Sequence, residues 1–308
     1  MKILIWFVGL GLSLATLLGC MGCCWIPLDL FSHFRFHYAL LFLPVIAFFL
    51  WRKQWWAFLF FLLPFGLNVL EVIPLFYPAK TTLKTSRSVF ELLSINVNYQ
   101  NEAYEAVLDE ITDKKPDIVV FQEYTPKWHR AVASLSQNYP YETHIFKDNH
   151  FGLAVWSRFP IKDTLVHYFA DVNTPTLELS VVIKDLPLTL FAFHPPSPIS
   201  TRFGLSARDW VINDLTTYLL QHPKPPQIVI GDFNATPYSY PFKQLLKHTN
   251  LRSSQQGFGL QHSWGGQLAP LGIAIDHCLH SPDLQTVASE IGSYVGSDHR
   301  SVWVSMVQ

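Results

Sequence analysis

In PQIVIGDFNATPYSYP, Pro226 to Pro241, a run of strand-forming residues ends in Gly-Asp-x-Asn and a proline-rich turn. A carboxylate, Asp232, and a carboxamide, Asn234, thus stand two residues apart at a strand exit. The pattern recurs along the chain. Asn96 sits within SINVN, Glu123 ends VVFQE, His194 ends LFAFH, Asp276 sits in AIDH, and Asp298 with His299 stands in GSDHR. Carboxylates and amides offer oxygen ligands to hard divalent cations, and a His beside a carboxylate can move a proton near neutral pH. Each position alone also has a purely structural reading. Asn and Asp cap turns, Glu123 can cap a helix starting at Pro126, Asp298 can be an N-cap, and a His before Pro-Pro is a loop residue. That reading must be repeated at every strand, and the repetition weighs against it.

The elements that would position these residues alternate along the second part of the chain. FELLSINVNY reads as a strand, NEAYEAVLDEITDKK as an acid-rich helix closed by Lys114, Lys115 and Pro116, and DIVVFQEY as a short buried strand. PKWHRAVASLSQ reads as a helix with Pro in its first turn, HFGLAVWSRFPI as a strand, and TLELSVVIKDLPLTLFAFH as two strands joined at KDLP. SARDWVINDLTTYLLQH follows as an amphipathic helix, QIVIGDFN as a strand, and GIAIDHCLH, TVASEIGSY and HRSVWVSMV as closing strands. Many strands with few intervening helices predict two packed sheets flanked by helices, an α/β (α+β) sandwich, rather than one doubly wound sheet.

The 308 residues are unevenly composed. Residues 1–78 carry only Lys2, Asp29, Arg35, Arg52, Lys53 and Glu71 as charges, and their apolar runs predict three transmembrane helices, near 3–25, 36–51 and 55–77. Pro44 and Pro64 are compatible with that assignment. The competing reading, a cleaved signal peptide before a buried apolar hairpin, requires a soluble domain with two such runs back to back. LLGC at Leu17 to Cys20 has the form of a lipoprotein cleavage box, which two further apolar runs make redundant. Cys20, Cys23 and Cys24 lack the further ligands of a zinc site, and Cys278 stands alone in the soluble part. Residues 79–90 read as a polar linker and 91–308 as the catalytic domain. With Lys2 cytoplasmic, three spans put the Arg52-Lys53 turn on the same side and the catalytic domain outside, while Arg35, Lys80, Lys84 and Arg87 pull the other way. From Ser88 onward, 15 Lys and Arg face 21 Asp and Glu, a balance of −6. That composition argues against a domain built to grip nucleic-acid backbone.

In the order SINVN, PDIVVFQE, FGLAVWSRFPI, FAFHPPSP, IVIGDFNATP, IDH and SDHR, residues 91 to 302 resemble the endonuclease/exonuclease/phosphatase (DNase I-like) superfamily. Deoxyribonuclease I, abasic-site endonucleases, sphingomyelinases and inositol polyphosphate phosphatases belong to it. The resemblance implies a four-layer sandwich that hydrolyses phosphoester bonds with a divalent metal, Mg²⁺ or alternatively Mn²⁺. Glu123 and Asn96 match the family's metal-holding positions, and Asp298 matches one that can contribute. Asp232 matches the acid that orients or deprotonates the attacking water, and Asn234 the amide that steadies developing charge. His299 matches the His on the scissile phosphate, Asp276 the acid that orients its ring, and His194 a second phosphate-contacting position. Asn98 rivals Asn96 because both would lie on one strand face. Arg158 and His150, near the SR-P turn, read as structural, with contact to substrate as the alternative for either. Gly231 is expected to let the chain turn sharply, and alternation along Asp232-x-Asn234 to present both side chains on one face.

The chain has no basic, aromatic-interleaved insertion of the kind a duplex-bending nuclease uses. Three spans joined to this domain resemble a membrane-bound bacterial branch that includes VanJ-type proteins. The resemblance implies a multi-pass protein of the cytoplasmic (inner) membrane that acts on lipid-linked phosphate or pyrophosphate at the outer face. The alternatives are an extracytoplasmic nuclease acting on DNA or RNA, and an inactive binding module. The expected partner is a phosphorylated substrate, lipid-linked in preference to nucleic acid. No protein partner is inferable.

Overall fold

In a computed structural model, residues 2–77, 89–199, 204–224 and 226–308 are described. Most of the expected linker, with Lys80, Lys84 and Arg87, lies outside them. The chain begins with α1 (Lys2–Cys20), the single-turn α2 (Ile26–Asp29), a 3₁₀ turn at Leu30–Phe34, α3 (Arg35–Trp51) and α4 (Trp55–Val72), extended by a 3₁₀ turn to Phe76. Three helical stretches, Lys2–Cys20, Ile26–Trp51 and Trp55–Phe76, are long and apolar enough to cross a membrane. They pack as an antiparallel bundle. Near one end Trp6 meets Phe49 and Phe61 at ring distances of 5.0 and 5.3 Å. Near the other, buried Arg35 donates to the Thr16 carbonyl and to Asn68 Oδ1. Pro44 and Pro64 lie inside α3 and α4 without ending them. The first helix stops at Cys20, short of the expected residue 25.

The second part is built from β1 (Phe90–Asn96), α5 (Tyr104–Lys114), β2 (Ile118–Gln122), α6 (Pro126–Ala131), β3 (Tyr141–Ile145), β4 (Leu153–Ser157), β5 (Ile161–Tyr168), β6 (Pro175–Ile183) and β7 (Leu186–Phe193). It continues with α7 (Ala207–Gln221), β8 (Gln227–Asp232), α8 (Tyr240–Thr249), β9 (Arg252–Ser253), β10 (Asp276–His280), β11 (Gln285–Ile291) and β12 (Val302–Val307). Two six-stranded mixed sheets result, ordered β11-β12-β1-β2-β4-β3 and β5-β6-β7-β8-β10-β9. Strand alternation explains the layers. Leu92, Ile118, Val120, Leu190, Ile228, Ile230 and Met306 point between the sheets into one core. Leu93, Ile95, Val119 and Phe121 face outward to meet Val107, Ile111 and Trp128 of α5 and α6. Phe191, Phe193 and Val229 pack on Val211, Leu215, Phe242 and Leu245 of α7 and α8. Burying each such side chain stabilises by about 1.5–3 kcal/mol relative to exposure.

The two-sheet sandwich matches the sequence expectation, including the β6–β7 hairpin, whose turn residues Lys184 and Asp185 are left-handed at φ 49° and 71°. Four elements of the catalytic part escaped it. β3, β5 and the two-residue β9 are edge strands, mostly half-buried or exposed, so none shows the apolar run of an interior strand. α8 begins with Tyr240-Pro241, which reads as the end of a turn but places Pro in a helix's first turn. α6 is also shorter than expected, giving way to a 3₁₀ turn at Ala133–Gln137.

Candidate active site

Strand direction gathers the polar endings. β1 and β2 run parallel, with Asn96 beside Gln122, so Asn96 and Glu123 leave the first sheet at one edge. β7 and β8 also run parallel, with Phe193 beside Gly231, so His194 and Asp232 leave the second sheet together. β10 is antiparallel to β8, which sets its first residue, Asp276, directly across from Asp232. Two crossover pairs and one reversal therefore bring five distant segments to one rim.

The side chains meet there. Asn96 Nδ2 donates to Glu123 Oε1 (3.3 Å) and to Asp232 Oδ2 (3.1 Å), bridging the two sheets. Asp232 Oδ2 also faces His194 Nε2 at 3.4 Å and His299 Nε2 at 3.7 Å. His299 Nδ1 shares a proton with Asp276 Oδ2 at 2.8 Å. Ser297 Oγ donates to the Asn96 carbonyl (2.7 Å) and accepts from the His299 amide, fixing the last segment against β1. Asp298 accepts from Asn98 Nδ2 (2.8 Å) and from Trp264 Nε1 (3.3 Å). Glu123 Oε2 accepts from the Tyr99 amide (3.0 Å). Glu123, Asn98 and Asn234 hold left-handed backbones, φ 59°, 55° and 50°, a conformation uncommon outside Gly and concentrated at functional positions.

Two details differ from the sequence reading. Gly231 lies within β8 and makes no turn. A Cβ there would stand 2.1 Å from the Phe193 carbonyl oxygen, so Gly is required by the close approach of β7. Asn234 does not share a strand face with Asp232, because β8 ends at Asp232. Its amide folds back onto Asp232 Oδ1 (2.8 Å) and its side chain donates to the Pro195 carbonyl (3.0 Å), tying the loop to the segment after His194.

Burial alone would raise the Asp232 carboxyl, but His299, His194 and the Asn234 amide outweigh it and hold it at about 2. Burial would lower His299, but facing Asp276 and Asp232 hold it up at about 10. An ionised carboxylate thus lies beside a protonated imidazole, the pairing that lets one group take a proton and the other give one. Asp232, Asp276 and His299 bring ligand atoms within 4.8 Å of one another. With His299 sharing a proton with Asp276 that trio is arranged for proton transfer, and its ligand atoms are also close enough together to hold a metal ion. Glu123 with the Asn96 amide and Asp298 supplies oxygen donors, the set that suits a hard divalent cation. His194 Nδ1 is buried with no partner among the described residues, a polar atom for a ligand to satisfy.

Arg158 is not brought to the rim. β2 and β4 are antiparallel, with Ile118 beside Ser157, so Arg158 leaves at the opposite end, where it meets Asp117 (3.9 Å) and the Tyr139 ring. Asn98 is at the rim, beyond the end of β1, and serves Asp298 rather than duplicating Asn96. His150, read from the sequence as structural with substrate contact as the alternative, does reach the rim. Its Nδ1 stands 3.2 Å from Glu123 Oε1, and that hydrogen bond raises the imidazole above its ordinary value. No sequence signal marks it, since it reaches Glu123 only through the β3–β4 loop. Trp264 was equally hidden. A second group of metal-ligating type, His129, Glu142 and His144, lies between α6 and β3. There His129 Nδ1 already contacts the Tyr124 hydroxyl (3.2 Å), His144 stacks on Phe146 and His129 meets that ring edge-on, so the group reads as a helix–strand tie.

The sequence profile described as the Endonuclease/Exonuclease/phosphatase family matches residues 93–299. Truncated TDP2 from Caenorhabditis elegans superposes with a TM-score of 0.57 at 17% identity, covering 71% of this chain and 98% of that one. The human Nocturnin catalytic domain with bound sulfate gives 0.56 at 19%, covering 71% and 94%. Sphingomyelinase C from Streptomyces griseocarneus gives 0.55 at 16%, covering 71% and 99%. At these identities the likeness is one of fold. No curated protein matches the sequence.

Proposed function

This chain belongs to the endonuclease/exonuclease/phosphatase family, and from that premise we propose that it is a membrane-anchored phosphohydrolase acting on lipid-linked phosphate or pyrophosphate. In this reading Asp232 orients and deprotonates the attacking water, and His299, held by Asp276, donates to the phosphoryl group or its leaving oxygen. His194 and Asn234 line the phosphoryl position. A divalent cation, Mg²⁺ or Mn²⁺, held by Glu123, Asn96 and Asp298, would supply Lewis-acid stabilisation of the phosphoryl oxygens.

One observation carries the lipid assignment. The turn at 264–271 supports the site at one end, through Trp264 Nε1 and the Gly265 and Gly266 amides on Asp298. At its other end it joins the membrane helices, through His37 Nε2 on the Leu271 carbonyl (2.8 Å). Between them Leu268 and Leu271 are 70% and 68% exposed. A rim that is apolar and adjoins the membrane helices suits a substrate arriving through the bilayer, whose effective concentration the anchor raises. The acidic balance of the catalytic part gives no matching advantage with nucleic acid. This reading groups the chain with VanJ-type membrane-bound members.

The full-length protein in vesicles, with Mg²⁺, should turn over a polyprenyl pyrophosphate faster than DNA or RNA oligonucleotides. Efficient, salt-sensitive cutting of oligonucleotides without lipid turnover would establish the nuclease instead. We also place the catalytic part outside the cytoplasm, because Lys2 and the Arg52-Lys53 turn share the far end of the bundle. A reporter that works only outside the cytoplasm, fused after Gln308, should be active; activity of a cytoplasm-only reporter there would reverse the topology.

A further inference from the structure

The loop that follows Asp232 is held from the membrane side. Arg208, in the first turn of α7, is fully buried at 0% exposure, and its guanidinium is forked over four partners. Nε donates to Asp209 (2.7 Å) and Nη2 to Asp29 Oδ2 (2.8 Å), while Nη1 donates to the Asn234 carbonyl (3.0 Å) and stands 3.1 Å from His33 Nε2. Asp29 and His33 belong to the connection between the first two apolar helices, not to the catalytic part. They reach the same loop directly. Asp29 Oδ1 accepts from the Tyr240 amide (2.7 Å) and His33 Nδ1 from the Thr236 amide (3.3 Å). Three backbone groups between Asn234 and Tyr240 are thus satisfied by Arg208, His33 and Asp29. The loop itself contributes the Ser239 amide to the Thr236 carbonyl.

From the catalytic side the segment is tied by the Asn234 amide on Asp232, the Asn234 side chain on the Pro195 carbonyl and His277 Nε2 on the Ala235 carbonyl. The contacts from Arg208, His33 and Asp29 complete that hold on left-handed Asn234, a backbone that persists only where surroundings over-determine it. We infer that Asp29, His33 and Arg208 are positioning residues of the reaction, so that the membrane helices complete the active site besides anchoring it. The inference rests on the assignment of Asp232 and Asn234 above and is independent of the lipid substrate. Arginine is suited to the task because its planar fork serves several acceptors at fixed angles, which the single ammonium of lysine cannot.

The test uses the full chain in detergent with Mg²⁺, read by amide hydrogen exchange over residues 233–240 and by hydrolysis of water-soluble bis(p-nitrophenyl) phosphate. Arg208→Lys keeps the charge opposite Asp29, and Asp29→Asn keeps an acceptor for Tyr240, so both are chosen to fold. Each should accelerate exchange in 233–240 and lower kcat about 10–100-fold, the usual cost of disturbing groups that orient reactive ones. KM should stay near wild type, and kcat is expressed per folded protein, because either change also lowers the melting temperature by weakening the buried Arg208–Asp29 pair. Glu71→Gln cuts a different contact between the two parts, the Lys243–Glu71 pair, and should change neither readout. Unaltered protection of 233–240 in both variants, or a kcat loss that only follows the loss of folded protein, overturns the inference. An inactive Asp232→Asn beside a fully active Arg208→Lys would overturn it while leaving the site assignment standing; a fully active Asp232→Asn would overturn both.

Discussion

Two buried ionic clusters meet on the loop after β8, and they use the same residue types to opposite ends. On the side of the proposed active site, Asp232, Asp276, His194 and His299 are packed so that Asp232 has two imidazoles near it at 3.4 and 3.7 Å. One His nitrogen there has no partner among the described residues. On the membrane side, Asp29, Asp209 and His33 surround Arg208 at 2.7 to 3.1 Å, and all three guanidinium nitrogens are engaged. The first cluster is incompletely satisfied, a state that is costly in a folded protein and useful where a ligand is to be bound. The second is closed, and its use is to fix geometry. Burial by itself therefore does not mark a catalytic group; what distinguishes the proposed reactive cluster from the closed one is unfilled hydrogen-bonding capacity among converging polar side chains.

The largest effect that separates the clusters is on rate. Asp232→Asn should lower turnover by about 10²- to 10⁴-fold with a melting temperature close to wild type, read by kinetics and thermal unfolding of the same preparation. Near-normal turnover would mean that the open cluster is not the reactive one. Asp29→Ala should do the converse to stability. It leaves the buried Arg208 charge with only one of its two carboxylate partners, at a cost of about 3–5 kcal/mol, measurable as a lowered unfolding midpoint in detergent. A change under about 1 kcal/mol would show the closed cluster to be dispensable.

A smaller effect is expected at the cation position. Glu123→Gln should weaken apparent Mg²⁺ affinity about 10- to 100-fold, with excess Mn²⁺ restoring part of the rate. Loss that no metal concentration relieves would assign Glu123 another role. The pH dependence of stability follows from His299, which is held up at about 10 against an ordinary value of about 6.5. A raised pKa means the protonated form stabilises the native state. That contribution is complete below the ordinary value and is lost as pH rises through about 10. The melting temperature of the wild type should fall across this window more steeply than that of His299→Gln, and parallel curves would contradict it. The smallest effect belongs to Lys243–Glu71, 39% and 34% exposed. Glu71→Gln should alter stability by at most about 1 kcal/mol, and a larger loss would extend the closed cluster beyond Arg208.

The sequence by itself determined the class of fold and picked out polar strand-end residues, most of which the structure brings to one rim. Buried strands announce themselves as short apolar runs such as IVVF and QIVI, and polar residues that end several of them stand out against that background. It also located three apolar stretches, because crossing a bilayer demands length and composition that can be read directly. What the tertiary structure decided is everything that depends on which strand ends are neighbours. Parallel pairing of β1 with β2 and of β7 with β8 brought Asn96, Glu123, His194 and Asp232 together. The antiparallel register of β4 carried Arg158 away from them. Gly231 looks like a turn residue in sequence, and the 2.1 Å approach of the Phe193 carbonyl together with a φ of 146° shows why it is glycine. His150, Trp264, Asp29, His33 and Arg208 carry no local signal, because each acts on a segment remote in the chain. Local periodicity records which side of an element is buried; the identity of the neighbour across the gap is a property of the packed molecule alone.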